Sequence, residues 1–283
     1  MDPHLLRTFV AVARLSSFSA AARELGYTQS AVSQHIAALE ADLRTELLTR
    51  RPVAPTPAGA RLLEHAGPLL LRLDAARADV LRLAAAPPGR ITLAASPLAV
   101  GPRLLGALPA TGVTLRILPP DAVPAAVAAG DCDLGLVDGP AAPSDPLRLP
   151  DVAPLRVTGV DEEELAVLLP AGHPFAGRDA VRLDDLADAR WLDAPDIGLP
   201  LATARRALRY EGTDLRALCA LAAAGHGLVL LPRRVAEAAG AGVCVPIAAP
   251  RLVHRTELLA PATLSGAAAA LAARLAAGSP YDS

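Results

Sequence analysis

From residue 90 onward, short aliphatic strands alternate with alanine-rich helices, and this alternation restricts the fold more than any other feature of the chain. "RITLAAS" reads as a strand, "PRLLGALPA" as a helix, "VTLRIL" as a strand, "DAVPAAVAAG" as a helix and "DLGLVD" as a strand. Such a succession builds a mainly parallel sheet in α/β layers. "ELAVLLP", "LCALAAAGHG", "LVLLP" and "VCVPI" repeat the pattern further along. "AAVAAGDCDLGLVD" and "ALAAAGHGLVLLP" are near echoes: an alanine-rich helix, a capping glycine at Gly130 or Gly225, then a buried strand. The echo predicts two similar lobes with a cleft between them, and "AAAPPGR" marks a linker before them.

The first sixty residues follow another period. Asp2 and Pro3 read as an N-cap and first helical residue, with Leu5, Leu6, Phe9, Val10 and Ala13 as the apolar stripe. Ser19 is expected to cap a short helix, "AAARELG", closed by Gly26. Thr28 then caps a helix whose buried stripe is Val32, Ile36, Leu39 and Leu43, while Gln29, Ser30, Ser33, Gln34 and Ala37 face outward. Alone, this segment is an ordinary surface helix. Its neighbours supply the order of a helix-turn-helix, whose second helix enters the DNA major groove by its N-terminal end. Serine and glutamine exchange donors and acceptors with base edges, and a helix N-terminus favours phosphate.

Thr56 and Pro57 open a further helix. Along it Leu62, Ala66, Leu69, Leu73, Ala76, Val80 and Leu83 advance alternately by four and three. Periodicity leaves two readings open, an intermolecular coiled coil and an intramolecular core helix. Pro68 inside the seam is expected to kink or interrupt it.

The 283 residues suffice for one large domain or two to three smaller ones. Apolar residues make up 52% of the chain, much of that alanine, and no run is long enough to span a bilayer. "MDPHLLRTFVAV" lacks the marks of a signal peptide, so a cytoplasmic location with no membrane partner is expected. All 27 cationic side chains other than histidine are arginine. Residues 1–84 carry a formal +2 and the remainder −4, a weak lean toward an anionic partner at the N-terminal end. Cys132, Cys219 and Cys244 lie scattered in apolar stretches and read as buried free thiols, with redox sensing as the minor alternative. The six histidines form no ligand cluster, and no nucleophile elbow, P-loop or dinucleotide fingerprint is present. No metal, no cofactor and no catalytic constellation are expected.

"FSAAARELGYTQSAVSQHIAALEADL" followed by "LLTRRPVAPTPAG" closely resembles the winged helix-turn-helix of LysR-type transcriptional regulators. The matching marks are Phe18, Ala21–Ala22, Leu25, residues 29–33, Ile36, Leu39–Glu40, Arg50, Thr56 and Ala58–Gly59. "LLPAGHPFAG", "LDDLADARWL" and "LAAAGHGLVLLPRRVA" extend the resemblance over almost the whole chain. It implies a mixed fold: an all-α winged helix-turn-helix at 1–58, a linker and dimerisation helix at 59–86, and a two-lobed α/β effector domain at 90–283. The last would be periplasmic-binding-protein-like (type 2), with lobe I at about 90–156 and 258–283 and lobe II at about 160–250. Extended crossings are expected near 156–164 and 247–259.

By position, the resemblance makes Thr28, Gln29, Ser30, Ser33 and Gln34 the DNA-facing set, with Arg50 and Arg51 of the wing near phosphate. Leu62, Ala66, Leu69, Leu73, Ala76 and Val80 would pair two chains. There are departures. Leu48 replaces a usual phenylalanine, Gln34 a common arginine, and the wing is about two residues short, a scale on which hairpin loops vary. "RPVAP" carries two prolines that discourage a hairpin ladder, and the region between Trp191 and Thr213 is shortened.

Ser96, after the first strand and before Pro97, is the leading effector-binding candidate, or else a plain N-cap. Asp138, Thr203 and His226 are further candidates, and "DEEE" (161–164) is expected to be a solvated loop. The expected function is sequence-specific transcription regulation, controlled by a small-molecule effector between the lobes. Expected partners are dyad-symmetric double-stranded DNA, a second or further copies of the chain (homodimer or homotetramer), and RNA polymerase if it activates. The rivals are a ligand-independent DNA-binding regulator and an enzyme on the same scaffold.

Overall fold

The computed structural model describes the chain except residues 85–88, 150–151, 153, 198–204 and 278–283. It divides into two compact units, Met1–Asp74 and Ala75–Ser283. The first holds α1 (Pro3–Leu15), α2 (Phe18–Leu25), α3 (Gln29–Leu43), the strands β1 (Leu48–Arg50) and β2 (Val53–Pro55), and the first part of α4 (Pro57–Ala84).

The caps explain the helix starts. Asp2 accepts from the His4 N–H at 2.7 Å and Thr28 from the Ala31 N–H at 3.1 Å. The α2 cap is Ser17, which accepts from Ala20 N–H at 3.2 Å, and not Ser19. Starting two residues earlier brings Phe18 into the helix, where its ring packs on the core. Phe9, Val12, Val32, Ile36 and Leu39 are fully buried and Leu48 joins them, whereas Leu43 is exposed because α3 outruns the core in its last turn. The wing is a regular antiparallel hairpin, Leu48 opposite Pro55 and Arg50 opposite Val53. Its prolines are accommodated because Pro52 sits in the two-residue turn and Pro55 at the strand end. α4 runs unbroken through Pro68. The acceptor that a proline there leaves unpaired, the Glu64 carbonyl, lies on an exposed stretch of helix where water can satisfy it. No helix among the described residues is long and apolar enough to cross a membrane.

The second unit contains β3 (Ile91–Ala95), α5 (Pro102–Ala107), β4 (Val113–Ile117), α6 (Ala122–Ala128) and β5 (Leu134–Ala141). β6 (Arg156–Leu169), β7 (Val181–Arg182), β8 (Arg190–Asp193) and β9 (Arg205–Arg209) follow. α7 (Leu215–Ala223), β10 (Val229–Pro232), α8 (Arg233–Ala238), β11 (Val243–Ala249), β12 (Val253–Ala260) and α9 (Gly266–Ala276) complete it. The main sheet has the order β4-β3-β5-β12-β6-β11-β7, with β10 also on β6. β3 pairs in parallel with β4 and β5, and β12 runs antiparallel to both β5 and β6.

β6 serves both halves of the sheet. Its first part, Arg156–Glu164, lies on β12, and Leu165–Leu169 lies on β10 and β11. Two hydrophobic cores result, one around Leu93, Leu134, Leu136 and Leu271, the other around Leu168, Leu218, Leu231 and Val245. The acidic run Asp161–Glu164 is therefore strand and not the solvated loop expected. An arginine answers each glutamate: Arg255 at 2.8 Å from Glu162, Arg234 at 2.6 Å from Glu163 and Arg233 at 3.0 Å from Glu164.

Candidate nucleic-acid interface and inter-lobe cleft

The N-terminal end of α3 is polar, outward-facing and unengaged. Gln29, Ser30 and Gln34 are exposed and Ser33 half-buried, directly above the sealed floor of Val32, Ile36 and Leu39. Among the described residues, no side-chain hydrogen bond occupies Gln29, Ser30, Ser33 or Gln34. Thr28 spends its oxygen on the cap and keeps its O–H proton to donate. Below the helix, His35 is held by Thr8, with Oγ1 3.0 Å from Nδ1, and by the edge of Tyr27 at a centroid distance of 5.2 Å. These contacts fix how far α3 projects.

Glu40, further along α3, holds the wing. One carboxylate oxygen accepts from the N–H groups of Leu47 at 2.9 Å and Leu48 at 3.2 Å, and the other lies 3.2 Å from Arg50 Nη2. The Arg50 guanidinium also sits 5.0 Å from the Phe18 ring centroid. Gly59 lets the α4 backbone press on the same corner, since a Cβ there would lie 2.0 Å from the Leu47 carbonyl oxygen. Along α4, Ala66 is fully buried and Leu62 partly buried on the N-terminal core, whereas Leu69, Leu73, Ala76 and Val80 are exposed.

In the second unit, Ser96 and Asp138 meet. The Ser96 hydroxyl bonds Asp138 Oδ1 and lies 3.2 Å from the Leu136 carbonyl, while Asp138 Oδ2 is 2.9 Å from His254 Nε2. Ser96 stands at the N-cap position of a short 3-10 turn but makes no side-chain cap bond. All three side chains are sealed from solvent, so Ser96 does not offer its hydroxyl to an open cleft. His226 is exposed in the turn between Gly225 and Gly227, with no contact to that cluster among the described residues. Thr203 lies outside the described residues.

An open cleft of about 770 Å³ runs between the Val100–Leu105 segment and the α7–α8 pair. That volume suits a small molecule. Its polar groups are Arg216 and Arg234, neither suggested by the sequence. Arg234 is fixed by Glu163, which accepts its backbone N–H at 2.8 Å, and by the Leu98 carbonyl, 3.3 Å from Nη2. Gly101 clears the space, because a Cβ there would lie 2.6 Å from Nη2. Cys219 also lines the cleft, and burial pushes its thiol pKa up, as it does for Cys132 and Cys244.

Residues 3–60 match the model of the bacterial regulatory helix-turn-helix protein, lysR family, and residues 84–279 match that of the LysR substrate binding domain. The chain belongs to the LysR family. Among relatives of this LysR-family chain, a small neutral protease regulatory protein of Streptomyces coelicolor is 33% identical over 221 residues, covering 75% of this chain and 66% of that protein. A probable hydrogen peroxide-inducible genes activator of Mycobacterium avium is 35% identical over 204 residues, covering 65% and 59%. In both alignments the chain spans less than two thirds of the relative's length. Solved structures share the fold. A cysteine-to-serine mutant of Corynebacterium glutamicum OxyR with hydrogen peroxide bound superposes with a TM-score of 0.51 at 23% identity, covering 97% of this chain and 90% of that one. Full-length BenM also gives 0.51, at 24% identity, covering 97% and 95%.

Proposed function

We propose that this LysR-family chain is a sequence-specific, DNA-binding transcription regulator that works as a homo-oligomer and answers to a small molecule held between its two α/β lobes. The observation that carries the DNA-binding part is the exposed amide and hydroxyl face at the start of α3, unengaged and standing on a buried aliphatic floor. Such a face carries its own hydrogen-bonding capacity to base edges. The wing, with Arg51 exposed at its turn, adds a contact to the backbone. The target is double-stranded DNA with dyad symmetry, RNA polymerase is the further partner if the chain activates, and the cytoplasm is the setting. Regulation and not catalysis is the role, since Ser96–Asp138–His254 is sealed and runs hydroxyl, carboxylate, imidazole, with no base ring beside the serine.

Selection from a random double-stranded library tests the reading. The full chain should enrich a dyad motif, and replacing Gln29, Ser33 and Gln34 by alanine in a folded sample should abolish the enrichment. Equal enrichment by that variant would remove α3 as the reading element.

A second reading, DNA binding without an effector, is favoured by the sealing of Ser96. Under it, no ligand of the 770 Å³ cleft would shift the thermal midpoint.

A further inference from the structure

The two wing arginines are not in equivalent states, and the difference divides their work on DNA. Arg50 is already employed inside the protein. Its Nη2 is 3.2 Å from Glu40 Oε2, and its guanidinium lies 5.0 Å from the Phe18 ring centroid. Glu40, whose side chain is only 14% exposed, is itself pinned by the Leu47 and Leu48 N–H groups. Three elements thus converge on the Arg50–Glu40 pair: α2 through Phe18, α3 through Glu40 and β1 through Arg50. Moving Arg50 to a phosphate would uncover the Glu40 carboxylate beside the anionic backbone and give up the ring contact.

Arg51 differs. It occupies the first position of the two-residue turn, is exposed, and has no ion pair among the described residues. The turn beneath it is braced, because Thr49 Oγ1 donates to the Pro52 carbonyl at 2.6 Å and is 3.1 Å from that of Ala54.

We infer that Arg51 makes the wing's phosphate contact, whereas Arg50 and Glu40 are positioning residues that clamp the wing to the reading helix. The inference rests on the DNA-binding reading above and deepens it. Each phosphate neutralised adds about 0.9 to the slope of log K against log salt concentration. This slope separates a contacting cation from a bracing one, since a purely structural loss lowers affinity without changing the count of ions released.

The test measures binding of the full chain to the selected duplex by fluorescence anisotropy across a salt series. Arg51→Gln should lower the slope by about 1.8 on the dyad duplex, about 0.9 from each of the two chains that read it. Arg50→Gln should weaken binding but leave the slope unchanged. Glu40→Gln, which keeps an oxygen for the Leu47 and Leu48 N–H groups, should release Arg50 in both chains and raise the slope by about 1.8, a gain lost again in Glu40→Gln with Arg50→Gln. A lowered slope for Arg50→Gln alone, or none for Arg51→Gln, overturns the assignment. Should Arg50→Gln fail to fold by circular dichroism, Arg50→Lys and the Glu40→Gln result decide. If the wild-type chain selects no duplex at all, the DNA-binding reading fails first, and the two failures are told apart.

Discussion

His254 has little freedom where it sits. Fully enclosed, it offers one ring nitrogen to Asp138, whose other oxygen takes the Ser96 hydroxyl. Cutting the ring back by His254→Ala leaves a buried carboxylate oxygen without its partner. The variant should lose about 3 kcal/mol of unfolding free energy in urea titration. Asp138→Asn, which retains an oxygen and gains a donor, should lose less, and an unchanged urea midpoint for His254→Ala would refute the linkage. Ser96 and Asp138 were legible in the sequence because each ends an aliphatic run of the same sheet. His254 was not, since only the β5–β12 register, with Asp138 opposite Thr256, brings a residue so distant in sequence alongside. The sealing of Ser96 was hidden for the same reason.

Among the elements, what neighbours a few residues apart determine is visible in the sequence, and what distant partners determine is not. The stripe of α3, its Thr28 cap and the alternation of β3, α5, β4, α6 and β5 follow from neighbours a few residues apart. The strand character of Asp161–Glu164 depends on arginines contributed by β12 and α8, so charge composition alone misplaced it. α4 shows what a heptad leaves open. Its early positions, Leu62 and Ala66, serve their own unit, while Leu69 and Leu73 remain 44% exposed. Those exposed leucines are the candidates for pairing two chains. Leu69→Glu with Leu73→Glu should reduce the sedimentation-equilibrium mass by half or more at micromolar concentration. An unchanged mass would place the oligomer contact elsewhere.

Over the whole molecule, the three thiols set a limit on alkaline stability. Their ordinary pKa is near 9.0, and burial raises each in the folded chain. Above pH 9 the unfolded chain releases protons that the folded chain keeps, so their stabilising contribution is complete below that pH and declines as it rises. The melting temperature should therefore fall faster with alkalinity in the wild type than in a Cys132→Ala, Cys219→Ala, Cys244→Ala variant. Parallel curves would show that the thiols do not matter. The same burial keeps these three thiols protonated and poorly nucleophilic near neutral pH.

Leu98 adds a constraint on how the two lobes can move. It lies in the turn just after β3, yet its side chain is wholly enclosed among the apolar residues of the opposite lobe. Parting the two cores would have to draw this peg out of its socket, at about 1.5–3 kcal/mol. A snug aliphatic fit has no gentle halfway point. Reorientation of the lobes should then proceed as a click between seated and unseated positions, giving any bound molecule a two-position detent to tip.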